Sequence, residues 1–352
     1  MTTSEVQRVL DRAVSEGGVP GIVAEIRDGA ERWFGTAGTA DTATGAPRTA
    51  AERFRVGSVT KTFVATVALR LADEGRLSLD DTVEQWLPGL LHEGGGSATL
   101  RQLLGHTSGI FNYTQDQEAL NRRETHTPEQ LVGVAAAHPP VFAPPGTHWG
   151  YSNTNYVLAG LIIERATGGA LADEITGRVA GPLGLTGTYL PNGDDPEIRG
   201  PHARHYTKLF VPGPEAPVHD ATELDSSLFW AAGGMISTLG DLSAFFRALL
   251  DGQVLPADSG REMFTTTPTR DWIPNTAYGL GISSLTLPSG RRLWGMGGAL
   301  FGSWTYVYGS RDGTRTVALN VNSDWTEGCW EDPIGIFDDV LHAAFRPAAH
   351  MP

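Results

Sequence analysis

Residues 54–90 read FRVGSVTKTFVATVALRLADEGRLSLDDTVEQWLPGL, and the fold turns on how they are read. Val59, Phe63, Val64, Val67, Ala68 and Leu71 recur at three- and four-residue spacing, which predicts a helix that Gly75 stops. At its start stand Ser58 and Lys61, three residues apart and so on one helix face. A serine hydroxyl is a weak nucleophile until something takes its proton. A lysine takes it when burial keeps the amine neutral; an arginine cannot. The chain has 24 arginines and two lysines, Lys61 and Lys208, so a lysine at this place is conspicuous. Backbone N–H groups at a helix start also favour developing negative charge. By itself, Ser-x-x-Lys describes a capped helix with a surface lysine equally well.

Outward from this helix the chain divides by pattern. Ser4 with Gln7 predicts a capping box, with Val6, Leu10 and Val14 at helical spacing and Gly17-Gly18 as the stop. Gly21–Arg27 reads as a strand that turns at Asp28-Gly29 and returns over Glu31–Gly38. Near the other end, Trp304–Tyr308 and Thr314–Val321 form a second hairpin, and Asp332-Pro333 opens a last helix. The two hairpins predict one antiparallel sheet with the terminal helices on one face. The middle reads as helices broken by Pro/Gly loops: one through Tyr156, Leu158, Leu161 and Ile162 to Gly168, another from Leu242 to Leu250 opened by Asp241. Segment 191–220, with six prolines, reads as a long loop. The expected division is an α/β domain from residues 1–75 and 226–352, an all-helical domain over 76–225, and a site between them.

Composition bounds the function. The chain has 352 residues, 40% of them hydrophobic, as in a globular enzyme. Its formal net charge of -14 disfavours nucleic acid and anionic membranes as partners. The one cysteine, Cys329, allows no internal disulfide and has no histidine near it in sequence. The N-terminus lacks an apolar run of roughly 7–15 residues, and no stretch approaches about 18, so neither leader nor membrane span is expected and the cytoplasm is the expected home.

Two further elements carry chemistry. Tyr151-Ser152-Asn153, in GYSNTNY, precedes the helix of Tyr156–Ile162. A tyrosine near a lysine passes protons more easily, and an asparagine both donates to a substrate carbonyl and accepts from a lysine. Gly295-Met296-Gly297-Gly298-Ala299 precedes the last hairpin; small residues on an edge strand let a substrate backbone approach. Read singly, the first is an asparagine-capped helix start and the second a bulge. His202-x-x-His205 suggests a metal pair but has no third ligand close by, and no metal or cofactor is expected. His106, in GHTSG, reads as a structural hydrogen-bonding residue. Phe111, Tyr113, Trp230, Trp294 and Phe301 are candidate pocket walls, each equally a core aromatic.

The three elements, in this order, resemble the serine β-lactamase and penicillin-binding family, most of all its class C β-lactamases and small DD-carboxypeptidases. LRQLLGHTSGI, PPGTHWGYSNTNYVLAGLIIERATG, AAGGMISTLGDLSAFF and YGLGI also have counterparts there, so the likeness runs over roughly residues 5–345. It implies a β-lactamase/transpeptidase-like α/β fold, Ser58 as nucleophile, Lys61 as general base and Tyr151 as proton shuttle. It further implies Asn153 as holder of the substrate amide, and an oxyanion hole from the N–H groups of Ser58 and Ala299. The chain departs where the family carries Lys or His, then Thr or Ser, then Gly: here stand Met296, Gly297 and Gly298. After YGLG, where relatives can carry arginine, it has Ile282-Ser283-Ser284. A substrate carboxylate brought to such a site is desolvated with little return. The expected function is therefore acyl transfer from an ester, thioester or amide to a small amine or alcohol in a biosynthetic pathway, for example of an antibiotic. Hydrolysis of DD-carboxypeptidase, β-lactamase or esterase type is the first alternative, and a non-catalytic binding module the second. Trp294, Met296 and Phe301 are the expected wall of the acceptor side.

Overall fold

The computed structural model describes residues 3–91, 95–118, 125–193, 195–211, 213 and 215–346. Nine strands make one sheet: β1 (Gly21–Asp28), β2 (Glu31–Asp41), β3 (Ala46–Pro47), β4 (Thr267–Pro268), β5 (Thr276–Tyr278), β6 (Ser283–Thr286), β7 (Arg292–Leu300), β8 (Ser303–Gly309) and β9 (Arg315–Val321). Their spatial order is β3-β2-β1-β9-β8-β7-β6-β5-β4, with every pairing antiparallel. Both chain ends thus meet at the centre, where Ile22 faces Val321 and Asp28 faces Arg315. The first hairpin turns one residue later than expected: Asp28 already pairs with Glu31, and Gly29 takes the left-handed conformation the turn requires.

Strand alternation sorts the sheet's two faces. Ile22, Ala24 and Ile26 of β1 and Val317, Leu319 and Val321 of β9 pack with the terminal helices α1 (Thr3–Ser15) and α5 (Pro333–Ala344). Val23, Ala318, Val307 and Met296 point the other way, into a larger core with helices α2 (Thr60–Asp73), α3 (Thr154–Thr167) and α4 (Leu239–Leu250). The period-2 pattern buries one set of side chains against each helical layer.

Three local expectations are corrected. Ser4 lies inside α1, and Gln7 makes no capping box, because its amide is drawn to the Thr36 carbonyl of β2 and to Asp11. The cap of α4 is Thr238, whose hydroxyl accepts from the Asp241 N–H. Segment 76–225 is not wholly helical: Tyr206–Thr207 pairs with His219–Asp220 within the predicted long loop, of which residues 194, 212 and 214 lie outside the described residues. Among the described residues no helix is long and apolar enough to cross a membrane.

Candidate active site

Ser58 sits in a tight turn, Gly57–Val59, that runs straight into α2. Two glycines bring β7 against this turn. Gly57 has φ +54, and a Cβ there would lie 2.7 Å from the Ala299 nitrogen. A Cβ on Gly298 would lie 2.0 Å from the Val56 oxygen and 2.6 Å from the Ser58 nitrogen. Any side chain at either place pushes strand and turn apart. β6 pairs with β7 only as far as Gly295, so Met296–Leu300 run on with one edge open. The Gly295–Ala299 stretch is therefore part of a strand, not a lead-in to one, and the edge expected of it exists locally.

Lys61 follows one helical turn after Ser58 and is fully buried. Its Nζ lies 2.8 Å from Asn153 Oδ1, 2.6 Å from the Ala232 carbonyl and 3.0 Å from Ser58 Oγ. Burial holds its pKa well below the ordinary lysine value, which favours the neutral amine. A neutral amine has two hydrogens and one lone pair. The two carbonyl oxygens can only accept, so they take both hydrogens, and the lone pair is left facing Ser58 Oγ. The Tyr151 hydroxyl stands 2.6 Å from Ser58 Oγ on the other side. Tyr151 is half-buried, packed between the His106 ring at 4.5 Å and a near-parallel Trp272 ring at 5.8 Å. That packing raises its pKa, a rise the bond to Ser58 only partly offsets, so the phenol keeps its proton.

The loop before α3 is fastened at several points. His106, with φ +58 in a buried turn, accepts the Ser152 N–H at Nδ1. Its proton is thereby assigned to Nε2, a buried atom with no partner among the described residues. Burial, then Lys61, holds the His106 pKa well below the usual histidine value. Asn112 Oδ1 accepts the Asn153 N–H, and Asn153 Nδ2 donates to Thr114 Oγ1. The Asn153 oxygen is thus turned toward Lys61.

Ser58, Tyr151, Asn153, Met296, Gly297, Gly298 and Ala299 converge on one cleft of about 570 Å³. The other aromatic and polar candidates do not. Tyr113 is fully buried and donates to the Leu228 carbonyl. Trp294 points into the core, edge-on to Phe264, because strand alternation puts it on the α2/α4 side. Ser283 is spent on the Gly295 carbonyl and the Tyr308 hydroxyl. Phe111 stacks on His138, Trp230 packs over Gly160 of α3, and Phe301 meets Phe210 and Phe229. The walls are instead Trp272, Ile273, Pro274, Trp304, Tyr306, Asp332 and Ile334. Trp304 and Asp332 read in the sequence only as a strand residue and a helix start; nothing local marks them as cleft residues. Among the described residues no group of three His, Cys, Asp or Glu side chains could hold a metal.

Comparison with known proteins agrees with this fold. A family model described as Beta-lactamase matches residues 6–328. A D-stereospecific amidohydrolase from Streptomyces sp. has 43% identity and a TM-score of 0.87, covering 98% of this chain and 99% of that one. The D-amino acid amidase of Ochrobactrum anthropi SV3, complexed with D-phenylalanine, has 29% identity and a TM-score of 0.85, covering 97% and 98%. Esterase EstB of Burkholderia gladioli is 34% identical over 198 residues, covering 52% of this chain and 50% of that protein. The chain thus spans about half the length of the first curated relatives it matches. Since the Beta-lactamase model accounts for nearly all of the sequence that builds the sheet, the nucleophile turn and the cleft, the chain belongs to the Beta-lactamase family.

Proposed function

We propose that the protein is a serine amidohydrolase that opens amides and esters of D-amino acids through an acyl-enzyme on Ser58. The observation that carries this is the hydrogen-bonded chain from Tyr151 through Ser58 to the lone-pair side of Lys61. Ser58 Oγ attacks the carbonyl carbon and its proton passes to Lys61. The oxygen that gains charge lies between the Ser58 and Ala299 N–H groups. The C–N or C–O bond then breaks, and the leaving atom takes the Tyr151 proton. A phenolate is left near the Lys61 ammonium, whose Nζ lies 4.9 Å from the phenol ring centre. Water attacks the ester and gives its proton to the phenolate; Ser58 regains its own from Lys61. The D-aminoacyl class is taken from the amidohydrolase and amidase similar to this chain.

Transfer of the acyl group to a small amine or alcohol, as in a biosynthetic pathway, is the second reading. The apolar Trp272, Ile273 and Pro274 around the cleft favour it, because they discourage water. Its expected acceptor wall is not formed, since the Trp294 and Met296 side chains point into the core and Phe301 packs against Phe210. Intact-protein mass spectrometry with a p-nitrophenyl ester should show one acyl adduct, lost in Ser58→Ala. An adduct that persists in Ser58→Ala overturns the mechanism. With a D-amino acid ester, the ratio of free acid to amide across a series of neutral amines decides between water and amine. A saturable amine product that dominates at millimolar acceptor would favour transfer.

A further inference from the structure

The reaction scheme does not say what grips the acyl group. Of the side chains lining the catalytic cleft, one carries a formal charge, Asp332. It sits at the N-cap of α5, where its Oδ1 accepts the Ile334 N–H at 2.8 Å. That use leaves Oδ2 for another donor. Beside it, Trp304 of β8 also lines the cleft, and its indole N–H is buried without a partner among the described residues. A second hollow shares both residues and is lined further by Phe210, Trp325, Glu327 and Glu331. The hollow's one lysine, Lys208, is committed to Glu327 at 3.6 Å and to the Gly213 carbonyl at 3.3 Å.

The signs of charge are therefore the reverse of a carboxylate-binding site. Where relatives of the family carry a cation, Met296 and Gly297 bring none, and the cleft lining brings a carboxylate instead. The whole chain adds a net charge of -14. Clefts lined by one sign of charge concentrate ligands of the other sign. A charge-assisted hydrogen bond from an ammonium to a partly shielded carboxylate is among the stronger polar contacts available to a small ligand.

We propose that Asp332 accepts the free α-ammonium group of the substrate's acyl half, so that the enzyme selects aminoacyl donors over plain acyl donors. The proposal rests on the hydrolase reading above. It concerns a residue that selects substrate and takes no part in the proton transfers at Ser58.

The test compares D-phenylalanine methyl ester with methyl 3-phenylpropionate, which lacks only the amino group, with p-nitrophenyl butyrate as a separate measure of Ser58 acylation. Asp332→Asn and Asp332→Ser both keep a good helix cap, so α5 is preserved while the charge is removed. Wild-type kcat/KM should favour the aminoacyl ester by on the order of 10²-fold. In both variants that preference should fall to within about threefold of unity, with most of the loss in KM for the aminoacyl ester. Thermal melting of each variant should stay close to wild type. A preference unchanged in the variants overturns the proposal, as does the lack of any preference in wild type or turnover of neither methyl ester. If p-nitrophenyl butyrate fails to acylate wild-type Ser58, the hydrolase reading itself falls. If it acylates and the preference survives in Asp332→Asn, only the role of Asp332 falls.

Discussion

Burial biases Lys61 toward the neutral amine, and this has a measurable sign. Burial lowers its pKa, so the amine gains its lone pair at a pH far below the ordinary lysine range. The acylation rate should rise with pH through that lowered value and level off above it, at a pH below the ordinary lysine range. Lys61→Arg keeps a positive charge and offers no lone pair, so it should lose activity on the order of 10²–10⁴-fold. Tyr151→Phe removes the proton donor and should lose a comparable factor. The acid limb of its residual rate should stay in place, since that limb belongs to Lys61 and the raised phenol does not titrate there. Pre-steady-state release of p-nitrophenol across pH measures this. A limb that disappears in Tyr151→Phe would show that the phenolate, not the amine, is the base.

At the scale of elements, the site is the meeting of a turn and a strand end. The approach of β7 to the Gly57–Val59 turn depends on having no Cβ at residue 298. Gly298→Ala meets the backbone of Val56, which cannot swing aside as a side-chain tip would. The strand must move off, taking the Ala299 N–H with it. Acylation should slow by on the order of 10²–10³-fold, the usual cost of one lost oxyanion donor. The sheet should persist by circular dichroism. A variant that acylates within about threefold of wild type removes this strand from the oxyanion site. Elements also show what local signals are worth. The T-x-x-Q segments at Thr82, Thr99 and Thr127 all form capping boxes. The similar S-x-x-Q at Ser4 does not, because β2 lies beside it and offers Gln7 a carbonyl. A nearby tertiary acceptor outcompetes the local one.

Across the whole molecule, folding buries groups that water would charge. His205 is fully buried with neither ring nitrogen bonded among the described residues. Burial, then the nearby Arg55 and Arg48, holds its pKa well below the usual histidine value. His106 is shifted the same way. In the unfolded chain both titrate near about 6.5. A lowered folded pKa means that their contribution is fully present above about pH 6.5 and is lost as pH falls below it, because the unfolded state then binds protons the folded state refuses. Together they make stability fall by up to about 2.7 kcal/mol per pH unit on the acid side. Urea unfolding between pH 7.5 and 5 measures the slope, and His205→Asn should remove about half of it. An equal slope in that variant would take His205 out of the acid response.

Read alone, the chain shows the antiparallel sheet with terminal helices, and its motifs resemble those of the family, a resemblance that implies the Ser58, Lys61, Tyr151 and Asn153 constellation. The strands and helices are written in local periodicity and the Ser58–Lys61 pair in one helix turn, whereas Tyr151 and Asn153, far away in the chain, join that pair only through the resemblance. The absence of a cation at Met296 and Gly297 was equally legible, because a missing charge needs no geometry to be read. The tertiary structure alone decided the walls of the cleft. Trp294 and Trp304 both lie in strands, and alternation sends one into the core and leaves the other at the cleft. Which face is which depends on the register between β7 and β8 and on where β6 ends, and these are set by pairings between distant residues. Asp332 is brought to the cleft the same way. Its capping role is local, but it lines the same cleft as Ser58 only because α5 packs across the outer face of the sheet.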